Sequence, residues 1–104
     1  MSVVLACDLG GTSFRAALID ETGVTRAQAM ILGPTAIDRM GWSEIDATAW
    51  WRILVEAARQ LAEAEPTLFD AIEAIAICGV TRTQVFLGRD GRQLRPAMTW
   101  KDTR

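Results

Sequence analysis

Histidine is absent from these 104 residues. That removes histidine metal sites, histidine general bases and Ser-His or Cys-His nucleophile pairs from within the chain, so any acid-base work falls to carboxylates. Cysteine occurs twice, Cys7 in VVLAC and Cys78 in AIAIC. Both lie inside apolar segments and read as reduced, buried small residues rather than as a disulfide. No apolar run approaches the roughly 18 residues of a membrane span. The first residues lack a basic region followed by an apolar core and a small-residue cleavage site, so the cytoplasm is the expected location. Excess charge is missing too: 11 Lys+Arg against 13 Asp+Glu leave a net charge of −2, which gives no electrostatic footprint for nucleic acid. Half of the residues are hydrophobic, enough for one small domain with a modest core.

Val3 to Asp8 is a β-branched and apolar run ending in an acid; Gly10-Gly11-Thr12-Ser13 supplies a turn, and Phe14 to Ile19 resumes the apolar run. This spacing predicts a hairpin. Asp20-Glu21-Thr22-Gly23 is a second turn, and the alternation from Val24 to Leu32 predicts a third strand near an edge, the three strands being antiparallel neighbours. After Gly33-Pro34 a loop is expected through Gly41-Trp42-Ser43-Glu44-Ile45 to Asp46, a good N-cap. From Ala47 to about Glu65, Trp50, Ile53, Leu54, Ala57, Leu61 and Ala64 recur at three-and-four spacing, which predicts an amphipathic helix stopped by Pro66. Residues 70–73 read as a connecting turn. Ala74 to Gly79 is a nearly continuous apolar run, expected to be a strand buried on both faces and parallel to an earlier one. Val85-Phe86-Leu87 and Arg92 to Leu94 flank the turn Gly88-Arg89-Asp90-Gly91, a further strand entering a glycine-bearing turn. The fold class implied is α/β, a mixed sheet that begins with antiparallel strands and continues with a helix and a parallel strand.

Three stretches carry candidate chemistry. In CDLGGTSFR the glycines permit close approach of a ligand to the backbone. Thr12 and Ser13 add amides and hydroxyls for phosphate oxygens, Arg15 a permanent charge, and Asp8 a carboxylate able to hold hydrated Mg²⁺. The competing reading is a plain hairpin turn in which Gly10 and Gly11 satisfy geometry and Asp8 caps loop amides. Thr81-Arg82-Thr83-Gln84 follows the carboxyl end of the apolar strand, where open α/β sheets bind ligands; the alternative is a polar turn. Trp100-Lys101-Asp102-Thr103-Arg104 sets an aromatic beside an acid and bases, a way to seat a sugar, against the alternative of an exposed chain end.

CDLGGTSFRAALID resembles the first phosphate motif of the actin, Hsp70 and sugar-kinase superfamily, which has a ribonuclease H-like fold. GWSEIDATAWW followed by AIAICGVTRTQVFLGRDGRQLRPAMTWKDTR resembles the FGGY carbohydrate kinases, with a tail close to the pentulose-kinase pattern. The resemblance covers nearly the whole chain in collinear order. It implies residues 1–104 as the N-terminal portion of the first kinase domain, one half of an actin-type ATPase. It further implies ATP and Mg²⁺ as cofactors, a small-molecule sugar or polyol as substrate, and phosphoryl transfer to an alcohol. Asp8 matches the acid that organises Mg²⁺, and Thr12 and Arg15 match positions near the transferred phosphoryl group. Thr81, Arg82 and Thr83 fall where xylulose-kinase-like members carry Met-His-Gly, which puts a D-xylulose preference in doubt. Trp100, Asp102 and Arg104 match the tail motif beside the sugar, with Lys101 where those members usually have Asn.

Family members have two domains and a general-base Asp that corresponds to a position far beyond residue 104. The chain is therefore expected to be an incomplete piece of such a kinase, inactive alone and with an apolar sheet edge left open to homodimer formation. The alternative is a non-catalytic sugar- or phosphate-binding or self-associating module of the same fold.

Overall fold

Apolar residues alternate along β1 (Val3–Leu9) and β2 (Ser13–Asp20), so Val3, Leu5 and Cys7 share one face with Phe14, Ala16 and Leu18, and all six are buried. A computed structural model of the chain describes residues 1–34 and 37–104, with backbone only at 37 and 38. The two strands pair antiparallel from Val3↔Asp20 to Leu9↔Phe14. Strand β3 (Thr25–Leu32) adds antiparallel to β2 and forms one edge, as its alternation suggests. The turn before β3 is closed by the Asp20 carboxylate, which accepts from the Thr22 hydroxyl at 2.6 Å and from the amides of Thr22 and Val24.

Helix α1 (Ala47–Ala64) starts where expected, at Asp46, whose side chain accepts from the Thr48 amide at 3.0 Å. Gln93 reinforces this cap from far along the chain: its Nε2 donates to Asp46 Oδ1 and its Oε1 accepts from the Ala47 amide. The helix lays Ala57 and Leu61 against the faces of β1, β2 and β3, completing a core that includes Leu5, Phe14, Leu18 and Ala29. Pro66 ends α1 but also opens a short second helix, α2 (Pro66–Asp70), in place of a direct run into the connecting turn. Proline at the first helical position loses nothing, because that amide has no partner within the helix.

Strand β6 (Ile72–Cys78) joins β1 in parallel, giving the sheet order β3-β2-β1-β6. The mixed α/β sheet is as the sequence implies, but the expected burial of β6 is not. Ile75 is 62% and Ile77 63% exposed, and Cys78 is exposed rather than buried. The reason is lateral: α1 lies over β2 and β3, and among the described residues no strand pairs with the outer edge of β6. Its continuous apolar character records a strand suited to two covered faces in a place where neither is covered. Both cysteines are free.

The stretch expected to be a loop forms a hairpin instead. Strands β4 (Ile37–Arg39) and β5 (Trp42–Ile45) pair antiparallel around Gly41, whose φ of +79° suits glycine; residues 35 and 36 of that expected loop lie outside the described residues. Strand β7 (Ala97–Met98) pairs with β5 and completes a second sheet, β4-β5-β7. Between β6 and β7 the chain doubles back around residues 88–91 as an irregular hairpin held by Leu87↔Gln93 and Gln84↔Met98 bridges, rather than by a full strand. Among the described residues no helix is long and apolar enough to cross a membrane.

Candidate functional site

The β1–β2 turn is built on a close approach. The Gly10 amide donates to Ser13 O at 3.0 Å, and a Cβ on Gly10 would stand 2.7 Å from that same oxygen, inside contact distance. Only glycine fits the turn in this shape. A Cβ on Gly11 would meet nothing within 4 Å, so the turn's outer side is open. Thr12 O is held by the Gly33 amide at 2.8 Å, while the amides of Gly11 and Thr12 have no partner among the described residues. The turn thus presents two unspent N–H donors beside the hydroxyls of Thr12 and Ser13, a donor set suited to anionic oxygens.

Asp8 and Arg15 are directly opposed across β1 and β2, on the sheet face turned away from α1, and both are exposed. No ion pair joins them among the described residues, so each charge remains available to a ligand. They line a shallow cavity of about 370 Å³ floored by small residues, Ala6, Ala17 and Ala76, with Gln28 and Cys78 beside them. The described residues contain no cluster of three or more metal-ligating side chains. Asp8 could therefore hold Mg²⁺ as a lone carboxylate acting through the ion's water shell.

A second cleft of about 270 Å³ joins distant parts of the sequence. Gly11 and Thr12 from the first turn face Ser43 of β5, Val80 beyond β6, and Thr99, Trp100 and Lys101 of the tail. Two of the residues expected to bind phosphate and one expected to bind sugar thus share one cavity. Ser43 Oγ and Thr99 Oγ1 lie 2.6 Å apart, both residues buried, and the Lys101 amide donates to Thr99 Oγ1.

The remaining predicted residues are placed elsewhere. Thr83 lines a separate cavity of about 170 Å³ with Leu9, Trp50 and Val80. Gln84 is bound through its backbone to Met98, with N···O distances of 3.0 and 3.1 Å. Arg82 is exposed with φ +47°, a left-handed conformation that costs a non-glycine residue about 1 kcal/mol. Asp102 and Arg104 are engaged with the protein itself. Asp102 Oδ2 accepts from the Ser43 amide at 3.0 Å and from Arg104 Nη2 at 2.7 Å, which holds its carboxyl well below the usual carboxylate range, Arg104 being the larger cause. Arg104 also donates to Glu44 Oε1 at 2.7 Å, and its guanidinium stacks 4.0 Å above the Trp42 ring. Arg95 reaches the same Glu44 oxygen at 3.0 Å.

Sequence reasoning passed over Ser43, Glu44 and Thr99. Reading residues 42–45 as loop concealed Ser43 and Glu44, and the order apolar-polar-polar-apolar of Trp42-Ser43-Glu44-Ile45 offers no strand alternation that could have found them.

Comparison with known proteins gives a consistent pattern. Residues 3–104 match the N-terminal domain of the FGGY family of carbohydrate kinases. A glycerol kinase of Rhodospirillum rubrum is 35% identical over 107 residues, covering all of this chain and 21% of its own length. A xylulose kinase of Bacillus subtilis is 28% identical over 104 residues, with the same coverage. A solved xylulose kinase structure from Brucella ovis superposes with a TM-score of 0.93 at 33% identity, over 98% of this chain and 22% of that one. The chain spans about a fifth of the length of the curated relatives it matches.

Proposed function

Because the chain belongs to the FGGY family of carbohydrate kinases, matching its N-terminal domain, we propose that it contributes the phosphate turn and part of the substrate cleft of an ATP-dependent kinase acting in the cytoplasm on a hydroxyl of a sugar or polyol. The observation that carries this reading is the single cleft in which Gly11 and Thr12 meet Ser43, Thr99 and Trp100. A phosphoryl donor and an alcohol acceptor have to converge within about 3–3.5 Å, so donor-binding and acceptor-binding groups must share a cavity.

In this proposal the Gly11 and Thr12 amides, with the hydroxyls of Thr12 and Ser13, hold phosphate oxygens. Gly10 keeps the turn tight, and Arg15 balances negative charge. ATP with Mg²⁺ supplies the phosphoryl group and offsets its charge. Asp8 fits the ion because its carboxylate is exposed and unpaired among the described residues. Trp100 covers an apolar face of the substrate, and Thr81, Arg82, Thr83 and Gln84, which follow β6 outside the lining of this cleft, are proposed to reach the substrate from the neighbouring loop. Asp102 and Arg104 act through the wall, by fixing Ser43. The general base that takes the alcohol proton is assigned to a carboxylate beyond residue 104, so the 104 residues alone are expected to release no ADP.

The test uses the protein encoded by the whole reading frame. Asp8→Ala should lower sugar-dependent ADP release by at least about tenfold, or about 1.4 kcal/mol of transition-state stabilisation. Unchanged turnover would remove Asp8 from the metal role.

A second reading rests on β6. Paired with β1 on one side only among the described residues, and with Ile75 and Ile77 exposed and one charged residue, Glu73, β6 offers its outer edge as a template for a further strand. In this reading the 104-residue chain pairs with a second copy along β6. Sedimentation velocity should show a dimer that Ile77→Lys returns to monomer; a monomer at high micromolar concentration excludes the pairing.

A further inference from the structure

Among the described residues one cation lines the cleft shared by the phosphate turn and the tail, Lys101. The neighbouring cations are committed or face elsewhere. Arg95 and Arg104 both donate to Glu44 Oε1, and Arg104 donates to Asp102 as well. Arg15 stands opposite Asp8 and lines the separate cavity on the outer face of the sheet, and Arg82 lines neither cavity. Lys101 has no carboxylate partner among the described residues, its Nζ lying 5.4 Å from the centre of the Trp100 ring.

The backbone of Lys101 is fixed while its side chain is free. Thr99 to Asp102 form a tight turn in which the Asp102 amide donates to Thr99 O at 3.0 Å and the Lys101 amide donates to Thr99 Oγ1 at 3.3 Å. Both ends of that turn are tied to β5: the Thr99 amide donates to Ser43 O, and the Ser43 amide to Asp102 Oδ2, each at 3.0 Å. Strand β5 thus holds Lys101 on a clamped turn in the same cleft as Gly11 and Thr12.

The two contributors to the cleft differ in what they offer an anion. The first turn brings the unspent amides of Gly11 and Thr12 and the Thr12 hydroxyl, which are directional donors of partial charge. The tail brings a full positive charge on a flexible stem. A terminal phosphate presents three acceptor oxygens and about two negative charges, so amides alone would leave most of its charge unbalanced. An ammonium on one of those oxygens adds a charge-assisted hydrogen bond. A neutral hydroxyl accepts from the same ammonium without bringing opposite charge, which makes it the weaker partner while leaving room for a polyol in the cleft.

We propose that Lys101 binds the terminal phosphate of the nucleotide, so that this phosphate is gripped from the first hairpin by amides and from the tail by a cation. The proposal rests on the kinase reading for the presence of a nucleotide. Its consequence is selective: a nucleotide lacking that phosphate has nothing for Lys101 to hold.

The experiment uses calorimetric titration of the protein from the whole reading frame with Mg²⁺ and either ADP or the β,γ-imido analogue of ATP, which keeps the terminal phosphate and is not turned over. Lys101→Met should weaken the imido analogue by about tenfold and leave ADP within about threefold, whereas Lys101→Arg should keep the imido analogue within about threefold. Lys101 is exposed, so neither substitution disturbs the core. Equal weakening of both nucleotides, or weakening of neither, overturns the proposal and leaves the kinase reading standing. A Lys101→Met variant that binds the imido analogue normally but loses affinity for D-xylulose or glycerol also overturns it, assigning the lysine to the acceptor. Failure of the unaltered protein to bind either nucleotide is the distinct result that removes the kinase reading, and the proposal falls with it.

Discussion

The two sheets are held together by opposite means. The four-stranded sheet buries Val3, Leu5, Cys7, Phe14, Ala16, Leu18 and Ala29 under Ala57 and Leu61 of α1, and its one polar side chain shown to be shielded, that of Asp20, lies at the end of β2 and closes a turn. The three-stranded sheet buries only Ile45 and Ala97 among apolar residues, yet it and the residue that follows β7 account for the three buried polar residues among the described ones: Ser43 at 3%, Glu44 at 7% and Thr99 at 8% exposure. Apolar burial is non-directional, so the larger sheet gains stability without fixing any group for chemistry. Hydrogen-bonded networks fix positions at the cost of desolvating polar groups, and that sheet supplies Ser43 and, with Thr99 and the tail, the wall of the cleft. Where the large sheet does reach the site, it does so through a bare turn and two unpaired charges, Asp8 and Arg15. Stability and placement are thereby divided between the two regions.

The largest expected effect tests the apolar half. Leu18 is fully buried in β2 against α1, so Leu18→Ala should cost about 2–5 kcal/mol through lost burial and a residual cavity. Urea titration followed by far-ultraviolet circular dichroism measures it. A loss under about 1 kcal/mol would mean that the core tolerates a vacancy there and that the division drawn between the sheets is too sharp.

That division also explains how much could be read in advance. Strands β1 to β3, the helix with its Asp46 cap and the parallel strand were legible because each is set by a local period and a turn residue, and the core follows from the same alternation. Burial of β6 was misread because periodicity reports what a strand is suited to, whereas exposure depends on neighbours: Ile75 and Ile77 are apolar on a sheet edge that α1 does not reach. The β4–β5 hairpin was hidden because its strands span three and four residues, too short for a period to emerge. The site was half legible. Gly10, Gly11 and Thr12 stand out as glycines and a hydroxyl after an apolar run, but Glu44 acquires its role only from Arg95 and Arg104, 51 and 60 residues away. No local signal encodes such a partner. An acid and a base near an aromatic give the same pattern whether they meet a sugar or each other, and the sequence does not encode the bond between Asp102 and Arg104.

A smaller effect tests the polar half through pH. Asp102 has its folded pKa depressed, chiefly by Arg104 and then by the Ser43 amide. A depressed carboxylate stabilises the fold fully above its unfolded value, near 3.8, and that contribution is lost as pH falls toward the folded value. The contacts between the tail and β5 should therefore be unchanged from neutral pH down to about 4 and weaken progressively below it. Asp20 behaves alike, lowered to about 2 by the Thr22 hydroxyl first, so acid acts on the β2–β3 turn of the large sheet as well. The two contributions can be separated because the Ser43 amide donates to Asp102 while the Thr22 amide donates to Asp20. Proton chemical shifts of those two amides, followed from pH 7 to 2, should stay flat through the ordinary carboxylate range, with the Thr22 amide moving toward pH 2 and the Ser43 amide still at its neutral-pH position. Asp20→Asn should abolish the Thr22 movement and leave the Ser43 amide unchanged. A Ser43 amide that titrates near pH 4 would show Asp102 unpaired in solution, and the polar wall of the cleft would then lack the rigidity that separates it from the apolar sheet.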